Sequence, residues 1–165
     1  MSRLVRVATL GDIAAIGDVA AAAWRDTYTG LLEPTTIDRF IESAYSEASL
    51  VRRIERSTFL VAEANDVVRA FADAVVHETH VTLAAIYAEP SWRGHGLGGL
   101  LLEEIVRRNP GLPIAADVLV GNRIGEAFYQ RHGFVSLEDI DGELFGEAVH
   151  QRRWWRGKPP SRSSG

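Results

Sequence analysis

A chain of 165 residues is long enough for one domain with a buried core, and its 46% apolar and 24% charged residues are typical of a globular protein. No apolar run reaches the ~20 residues of a membrane-spanning helix, and the N-terminus lacks the apolar core of a signal peptide, so we expect a cytoplasmic protein that does not bind membranes. The absence of cysteine excludes disulfides, thiolate metal sites and a cysteine nucleophile, and the net charge of −4 argues against nucleic acid as the main partner.

Hydrophobic periodicity divides the first half of the chain into a strand, three helices and a hairpin. Thr9 can cap the first helix, Pro34 suits the first turn of the second, and Asn65-Asp66 is a tight-turn signal between two strands. The predicted elements are a strand over Arg3–Val7, helices over Leu10–Trp24, from Pro34 past Ile41 and around Leu50–Ile54, and strands over Thr58–Ala64 and Val67–His77.

The second half predicts a βαβ unit followed by two closing strands. Val81–Ala88 is apolar on both faces, which is typical of a strand at the centre of a sheet. The elements after it are a helix over Gly96–Arg108, a strand over Leu112–Val120, a helix over Asn122–His132, and strands over Phe134–Ile140 and Leu144–Trp155. We predict an α+β fold, with a mixed and mostly antiparallel sheet flanked by helices, in one domain over residues 1–157. Residues 158–165 are rich in Pro, Ser and Gly and are predicted to be a disordered tail.

The segment between the central strand and the next helix carries four glycines in the six residues Gly94–Gly99. A helix start presents free backbone N–H groups with a partial positive charge, and glycines let the chain curl around a phosphate. Arg93 adds a positive charge whose planar fork suits phosphate oxygens. The segment therefore predicts a site for a phosphate-bearing ligand.

Two common phosphate motifs fit this loop poorly. A Walker loop requires a lysine after its last glycine, and Lys158 is the only lysine in the chain. Gly94, Gly96 and Gly99 match the dinucleotide fingerprint G-x-G-x-x-G, but that fingerprint begins directly at the end of its strand, whereas several residues intervene here. A dinucleotide-binding enzyme stays as the weaker alternative.

Two segments resemble the GCN5-related N-acetyltransferases. Arg93-x-x-Gly96-x-Gly98, after a strand and a proline, is similar to the family's pyrophosphate motif. Asn122 to Phe134 is similar to its next motif, N-x-x-A-x-x-x-Y-x-x-x-G-F, although the alanine falls one position late, at Ala127. The resemblance implies the family's fold, acetyl-CoA as co-substrate, and direct transfer to a small-molecule or peptide amine in a ternary complex. It leaves open a homodimer and a non-catalytic acyl-CoA-binding module.

The resemblance also implies which residues bind the cofactor. Backbone groups of Ile86, Tyr87 and Ala88 would pair with the pantetheine arm as an added strand does. Asn122 would either contact the cofactor or cap its own helix. The stretch that would hold the pyrophosphate is Arg93, Gly94, His95, Gly96, Leu97 and Gly98, with Leu97 facing the core and His95 at a position that the motif leaves open.

Tyr129 is the candidate general acid. It matches the family's tyrosine beside the sulfur, where a phenol with a pKa of about 10 can protonate a departing thiolate. The alternative is a half-buried tyrosine that makes a structural hydrogen bond. Ile124 and Phe128 are expected to provide the core-facing stripe of the same helix.

Asp117 is the candidate general base. It interrupts an apolar strand, where a carboxylate is costly unless it is paired or useful. Asp117 lies five residues before Asn122. It resembles in position the glutamate base of the ribosomal-protein alanine acetyltransferases, which lies five residues before their motif asparagine. The alternative is a structural carboxylate bonded to the backbone or an arginine. Glu78 and Glu89 are further candidate bases.

No metal site is expected, because His77-Glu78-Thr79-His80 does not have the spacing of a zinc motif. The acceptor is predicted to lie against the first two helices and their link. Trp24 and Tyr28 can wall a pocket or pack in the core, and Glu33 can meet a cationic amine such as a polyamine.

Overall fold

A computed structural model of the chain describes residues 2–161, which form seven strands and five helices. The strands are β1 (Arg3–Val7), β2 (Thr58–Ala64), β3 (Val67–Val76), β4 (Val81–Ala88), β5 (Ile114–Leu119), β6 (Val135–Leu144) and β7 (Glu147–Arg156). The helices are α1 (Ile13–Tyr28), α2 (Pro34–Ala44), α3 (Glu47–Arg56), α4 (Leu97–Arg108) and α5 (Arg123–Arg131). No helix in the described range is both long and apolar enough to cross a membrane.

All seven strands form one sheet in the order β1-β2-β3-β4-β5-β7-β6. Only the β4–β5 pair is parallel, and the other neighbours are antiparallel. Helix α4 makes the connection that a parallel pair requires. The predicted α+β class and the central position of β4 are confirmed.

The sheet has a hydrophobic core on each face, because alternate residues of its strands point to opposite sides. Helices α4 and α5 cover one face, and α1, α2 and α3 cover the other. The largest fully buried side chains of the α4 face include Leu97, Leu101, Ile105 and Ile114, and those of the α1 face include Ile16, Leu50, Phe59 and Phe71.

Strands β4 and β5 separate soon after they meet. They pair only at Val81 with Ile114 and at Thr82 with Ala115. The β3–β4 register then skips Ala84, so that β4 carries a bulge, which bends a strand and increases its twist. The remaining length of β4 leaves one backbone edge open toward the gap between the two strands.

The element boundaries differ most from the sequence prediction in α1 and β6. A 3₁₀ turn over Leu10–Asp12 precedes α1, which continues to Tyr28, four residues past its predicted end. Strand β6 continues to Leu144 because Gly142 stays extended opposite Val149, and the chain turns only at Phe145-Gly146, where φ is positive at both residues. In the predicted tail, residues 158–161 form no helix or strand, and 162–165 lie outside the described residues.

Candidate active site

A cavity of about 440 Å³ opens where β4 and β5 diverge. The start of α4 and one side of α5 form one wall, and the last turn of α1 forms the opposite wall. Most of the predicted site residues line this cavity, namely Tyr28, Ile86, Tyr87, Ala88, Arg93, Gly94, Gly96, Leu97, Gly98, Asp117, Asn122 and Tyr129. The predicted residues outside the lining are Trp24, Glu33 and His95.

The glycine loop presents free N–H groups at the start of α4. Gly94 and Gly96 have φ of +80° and +79°, a conformation that strains residues with a side chain. None of the backbone N–H groups from Gly94 to Gly99 donates to an acceptor in the described residues. Donors left free at a helix start suit a phosphate group, so the loop fits a pyrophosphate-bearing ligand.

Helices α4 and α5 approach closely at the next glycine of the motif. A Cβ atom on Gly98 would lie 2.9 Å from the ring of Phe128, closer than real Cβ atoms come. Gly98 therefore lets α5 pack against α4 and sets the width of the cavity at this end.

Arg93 does not extend freely into the loop. Its guanidinium bonds to the Asp26 carboxylate and, at 3.1 Å, to the Thr27 hydroxyl in the last turn of α1. Arg3 approaches from the far side and donates to the His95 carbonyl at 3.0 Å. The His95 side chain is exposed and turned back to the carbonyls of Trp92 and Arg93.

Two tyrosine hydroxyls meet in the α1 side of the cavity. The hydroxyls of Tyr28 and Tyr87 lie 2.8 Å apart, and the Asn122 side-chain amide lies 3.5 Å from that of Tyr28. Burial raises the pKa of both tyrosines, so both hydroxyls stay neutral. Asn122 also caps α5, because its Oδ1 accepts from the Gly125 N–H at 2.9 Å. The capping role is therefore present, and its cofactor contact stays a prediction.

Tyr129 lies at the other side of the gap, 8% exposed and packed edge-on against Phe128 and Phe134. Its hydroxyl bonds to no described residue and borders the cavity. Burial, with smaller contributions from Tyr28 and Asp117, raises the pKa of Tyr129 above the ordinary value of 10.0. The expected core position of Ile124 is wrong, because this residue is 48% exposed and lines the cavity while Tyr129 takes the buried side.

Asp117 is held by an arginine that neighbours it across the sheet. Arg153 on β7 is its register partner and donates to both carboxylate oxygens, from Nε to Oδ1 at 2.8 Å and from Nη2 to Oδ2 at 3.0 Å. This hydrogen bond raises the pKa of Arg153. Asp117 is exposed in an otherwise buried strand, so the cost of its charge is met by solvent and by Arg153 together.

The remaining candidates lie away from the cavity. Trp24 is buried in the core, stacked on Phe40 with the ring centroids 3.8 Å apart. Glu89 pairs with Arg69, and Glu78 lies in the exposed turn between β3 and β4. The described residues contain no group of three potential metal ligands.

Sequence reasoning missed Asp26, Thr27 and Arg153. Each bonds to a predicted site residue across a separation of 36 to 67 positions. No local pattern marks such partners. The contact between the Tyr28 and Tyr87 hydroxyls is likewise not predicted from the sequence, which assigns Tyr87 only a backbone role.

The chain is similar to known acetyltransferases. The acetyltransferase (GNAT) domain family matches residues 55–136. The spermidine N(1)-acetyltransferase of Thermoplasma acidophilum is 29% identical over 154 residues, which cover 88% of this chain and 95% of that protein. A probable N-acetyltransferase of Mycobacterium tuberculosis is 22% identical over 86% of this chain and 82% of its own length.

Solved structures agree over nearly the whole chain. The PaiA N-acetyltransferase of Thermoplasma acidophilum, in complex with coenzyme A, is 25% identical, with a TM-score of 0.84 over 96% of this chain and 100% of that one. The ribosomal-protein-S18-alanine N-acetyltransferase of Escherichia coli has the same fold, at 18% identity and a TM-score of 0.72 over 99% of this chain and 98% of that one. Since the matched stretch contains both the glycine loop and α5, the chain belongs to the GCN5-related N-acetyltransferase (GNAT) family of enzymes.

Proposed function

We propose that the chain binds acetyl-CoA in the cavity between β4 and β5 and transfers its acetyl group directly to a primary amine. The observation that carries the proposal is the set of free N–H groups from Gly94 to Gly99 at the mouth of that cavity. These groups would hold the pyrophosphate, and the open edge of β4 from Ile86 to Ala88 would pair with the pantetheine amides. Acetyl-CoA supplies an activated acetyl thioester to this site.

Tyr129 is proposed to protonate the thiolate that leaves. Its hydroxyl borders the cavity and has no partner among the described residues, so its proton is available to a ligand. A phenol is protonated at neutral pH, so Tyr129 carries a proton that it can donate to the departing thiolate.

Asp117 is proposed to accept the proton of the attacking amine. Each of its oxygens accepts one bond from Arg153 and keeps a further lone pair for an amine or a relaying water. It lies on the α1 side of β5, as do the buried Leu119 and the tyrosine pair. The amine would therefore approach from the α1 side and the thioester from the α4 side.

The acceptor is proposed to be a cationic alkylamine such as a polyamine. The link between α1 and α2 reaches the β5–α5 connection, where Leu31 contacts Gly121. At the end of this link, the Glu147 carboxylate accepts from the backbone N–H of Glu33 at 3.0 Å, so two acidic residues, Glu33 and Glu147, meet at this point of the backbone. A second ammonium of the acceptor would be attracted to them. The name of the Thermoplasma relative, a spermidine acetyltransferase, favours the same class.

Titration calorimetry with acetyl-CoA, and with NADH and ATP for comparison, tests the cofactor. We expect binding of acetyl-CoA alone, weakened about tenfold by Gly96→Ala because alanine strains the loop at a positive φ. Gly111→Ala is the matched control, since Gly111 also has a positive φ of +80° but lies in the turn before β5, away from the cavity. Binding of NADH instead of acetyl-CoA would favour a dinucleotide enzyme and contradict the proposal.

A thiol-release assay with acetyl-CoA then tests the transfer, using spermidine and a short peptide with a free N-terminus as acceptors. Thiol release that depends on spermidine supports the proposed acceptor class. Release with the peptide alone would exclude that class while leaving the acetyl transfer in place. Binding of acetyl-CoA without release in either case would favour a non-catalytic binding module.

A further inference from the structure

Arg93 connects the phosphate loop to the opposite wall of the cavity. Its two terminal nitrogens are both engaged, one by the Asp26 carboxylate and one by the Thr27 hydroxyl. These partners lie 67 and 66 positions earlier in the chain. The contact bridges the start of α4 and the end of α1.

The position of Asp26 is unfavourable for α1 itself. It lies in the last turn of a helix that ends at Tyr28, where the helix dipole repels negative charge. The Asp26 side chain is 51% exposed and the Arg93 side chain is 25% exposed, so solvent screens the attraction between them only in part. The attraction to Arg93 therefore offsets the unfavourable position of Asp26 as long as no other anion lies near the guanidinium.

The residues next to this contact belong to the acceptor side. Thr27 and Tyr28 both line the cavity, and the Tyr28 hydroxyl meets that of Tyr87. The guanidinium that fixes this turn also lies one residue before the glycines that present their N–H groups. A pyrophosphate in the loop would be the second anion within reach of Arg93.

We propose that Asp26 is a positioning residue that competes with the pyrophosphate of acetyl-CoA for Arg93, which rests on the proposed function. Asp26 holds the guanidinium against α1 in the free protein. Acetyl-CoA draws the guanidinium toward the loop and releases the last turn of α1. The position of the last turn of α1, where Thr27 and Tyr28 line the cavity, thus depends on whether Arg93 is paired with Asp26 or with the pyrophosphate.

The competition predicts an affinity change of unusual sign. Asp26→Asn removes the competing charge, so acetyl-CoA should bind about twofold to fivefold more tightly, the fold-change of an exposed ion pair. Damage to the fold would weaken binding instead. Asp38→Asn is the matched control, because Asp38 forms a comparable exposed pair with Arg25 at 2.7 Å and does not line the cavity.

A double-mutant cycle measured by calorimetry decides whether Asp26 acts through Arg93. In the Arg93→Ala background, Asp26→Asn should leave the affinity for acetyl-CoA unchanged. Equal tightening in both backgrounds would show simple charge repulsion and overturn the proposal, as would unchanged or weaker binding in Asp26→Asn alone. If the wild-type chain binds no acetyl-CoA, the proposed function fails, which is a different result.

Hydrogen exchange provides a readout that does not involve turnover. The Thr29 N–H bonds to the Arg25 carbonyl at 3.3 Å across the turn that Asp26 occupies. Acetyl-CoA should speed the exchange of amides 26–29 in the wild-type chain. In Asp26→Asn, which has no carboxylate to pair with Arg93, the ligand should change the exchange of these amides less than it does in the wild-type chain. If acetyl-CoA instead slows the exchange of amides 26–29 in the wild-type chain, the proposed release of the last turn of α1 is wrong.

Discussion

At the scale of single residues, the cavity carries two kinds of polar group. Arg93, Asp117 and Tyr28 already have protein partners, whereas the hydroxyl of Tyr129 has none among the described residues. Partnered groups hold the walls in place, whereas a hydroxyl without a protein partner has its proton and lone pairs free for a ligand. This difference marks Tyr129 as the residue on which catalysis should depend most strongly.

Tyr129→Phe should lower kcat about 100-fold, the loss of a general acid, while the affinity for acetyl-CoA stays the same. The ring remains, so packing against Phe128 and Phe134 is kept. Steady-state kinetics and calorimetry measure the two quantities. Tyr45→Phe is the control, because Tyr45 is equally buried but lies outside the cavity lining. An unchanged kcat in Tyr129→Phe would rule out the acid role.

A second residue, Asp12, predicts how stability depends on pH. It accepts from Arg6 and from the Thr9 N–H, each at 2.8 Å, and the bond from Arg6 is the main cause of a pKa below the ordinary 3.8. A lowered pKa in the folded state stabilises the protein above the unfolded value, and this contribution is lost as pH falls through the folded value.

Asp12→Asn should therefore lower the free energy of unfolding by about 1 kcal/mol at pH 7, with a difference that shrinks below about pH 4. Urea unfolding at both pH values measures the effect. Asp18→Asn, an exposed change in α1, which Asp12 precedes, should cost little at either pH. A deficit that persists at low pH would mean that the charge of Asp12 is not the cause.

At the scale of elements, the width of the cavity depends on how closely α4 and α5 approach. Gly98 faces the ring of Phe128, and Gly99 faces His132 in the same way. A larger residue at position 98 must push the ring or the helix, because its Cβ would lie 2.9 Å from the ring edge. The glycines of this segment thus serve the packing of α4 against α5 as well as the loop that we propose to bind phosphate.

Gly98→Ala should cost about 1–3 kcal/mol of stability through overpacking. Adding Phe128→Leu should recover part of that loss, since the smaller side chain leaves room for the new methyl group. Urea unfolding of both single variants and of the double variant measures the coupling. Strictly additive losses would show that Gly98 and Phe128 do not meet as described.

At the scale of the whole molecule, local patterns predicted the order of the elements. Hydrophobic periodicity and the positions of the glycines are enough to predict the strand over Val81–Ala88 and the helix after Gly96. The bulge at Ala84 and the early separation of β4 from β5 were not predicted, because they depend on how neighbouring strands pair. The partners of Arg93 and Asp117 were hidden for the same reason, since each lies on an element distant in sequence.

The parallel contact between β4 and β5 is also the shortest pairing in the sheet. Within the sheet, β1, β2, β3 and β4 form one block, and β5, β7 and β6 form another, while one hydrophobic core joins residues of α4 and β5. Within the sheet the blocks share only two residue pairs. A ligand that pairs with the open edge of β4 while contacting α5 would add contacts between the two blocks. Bound ligand would then raise the force needed to separate β4 from β5, at the gap where we propose that the acetyl transfer takes place.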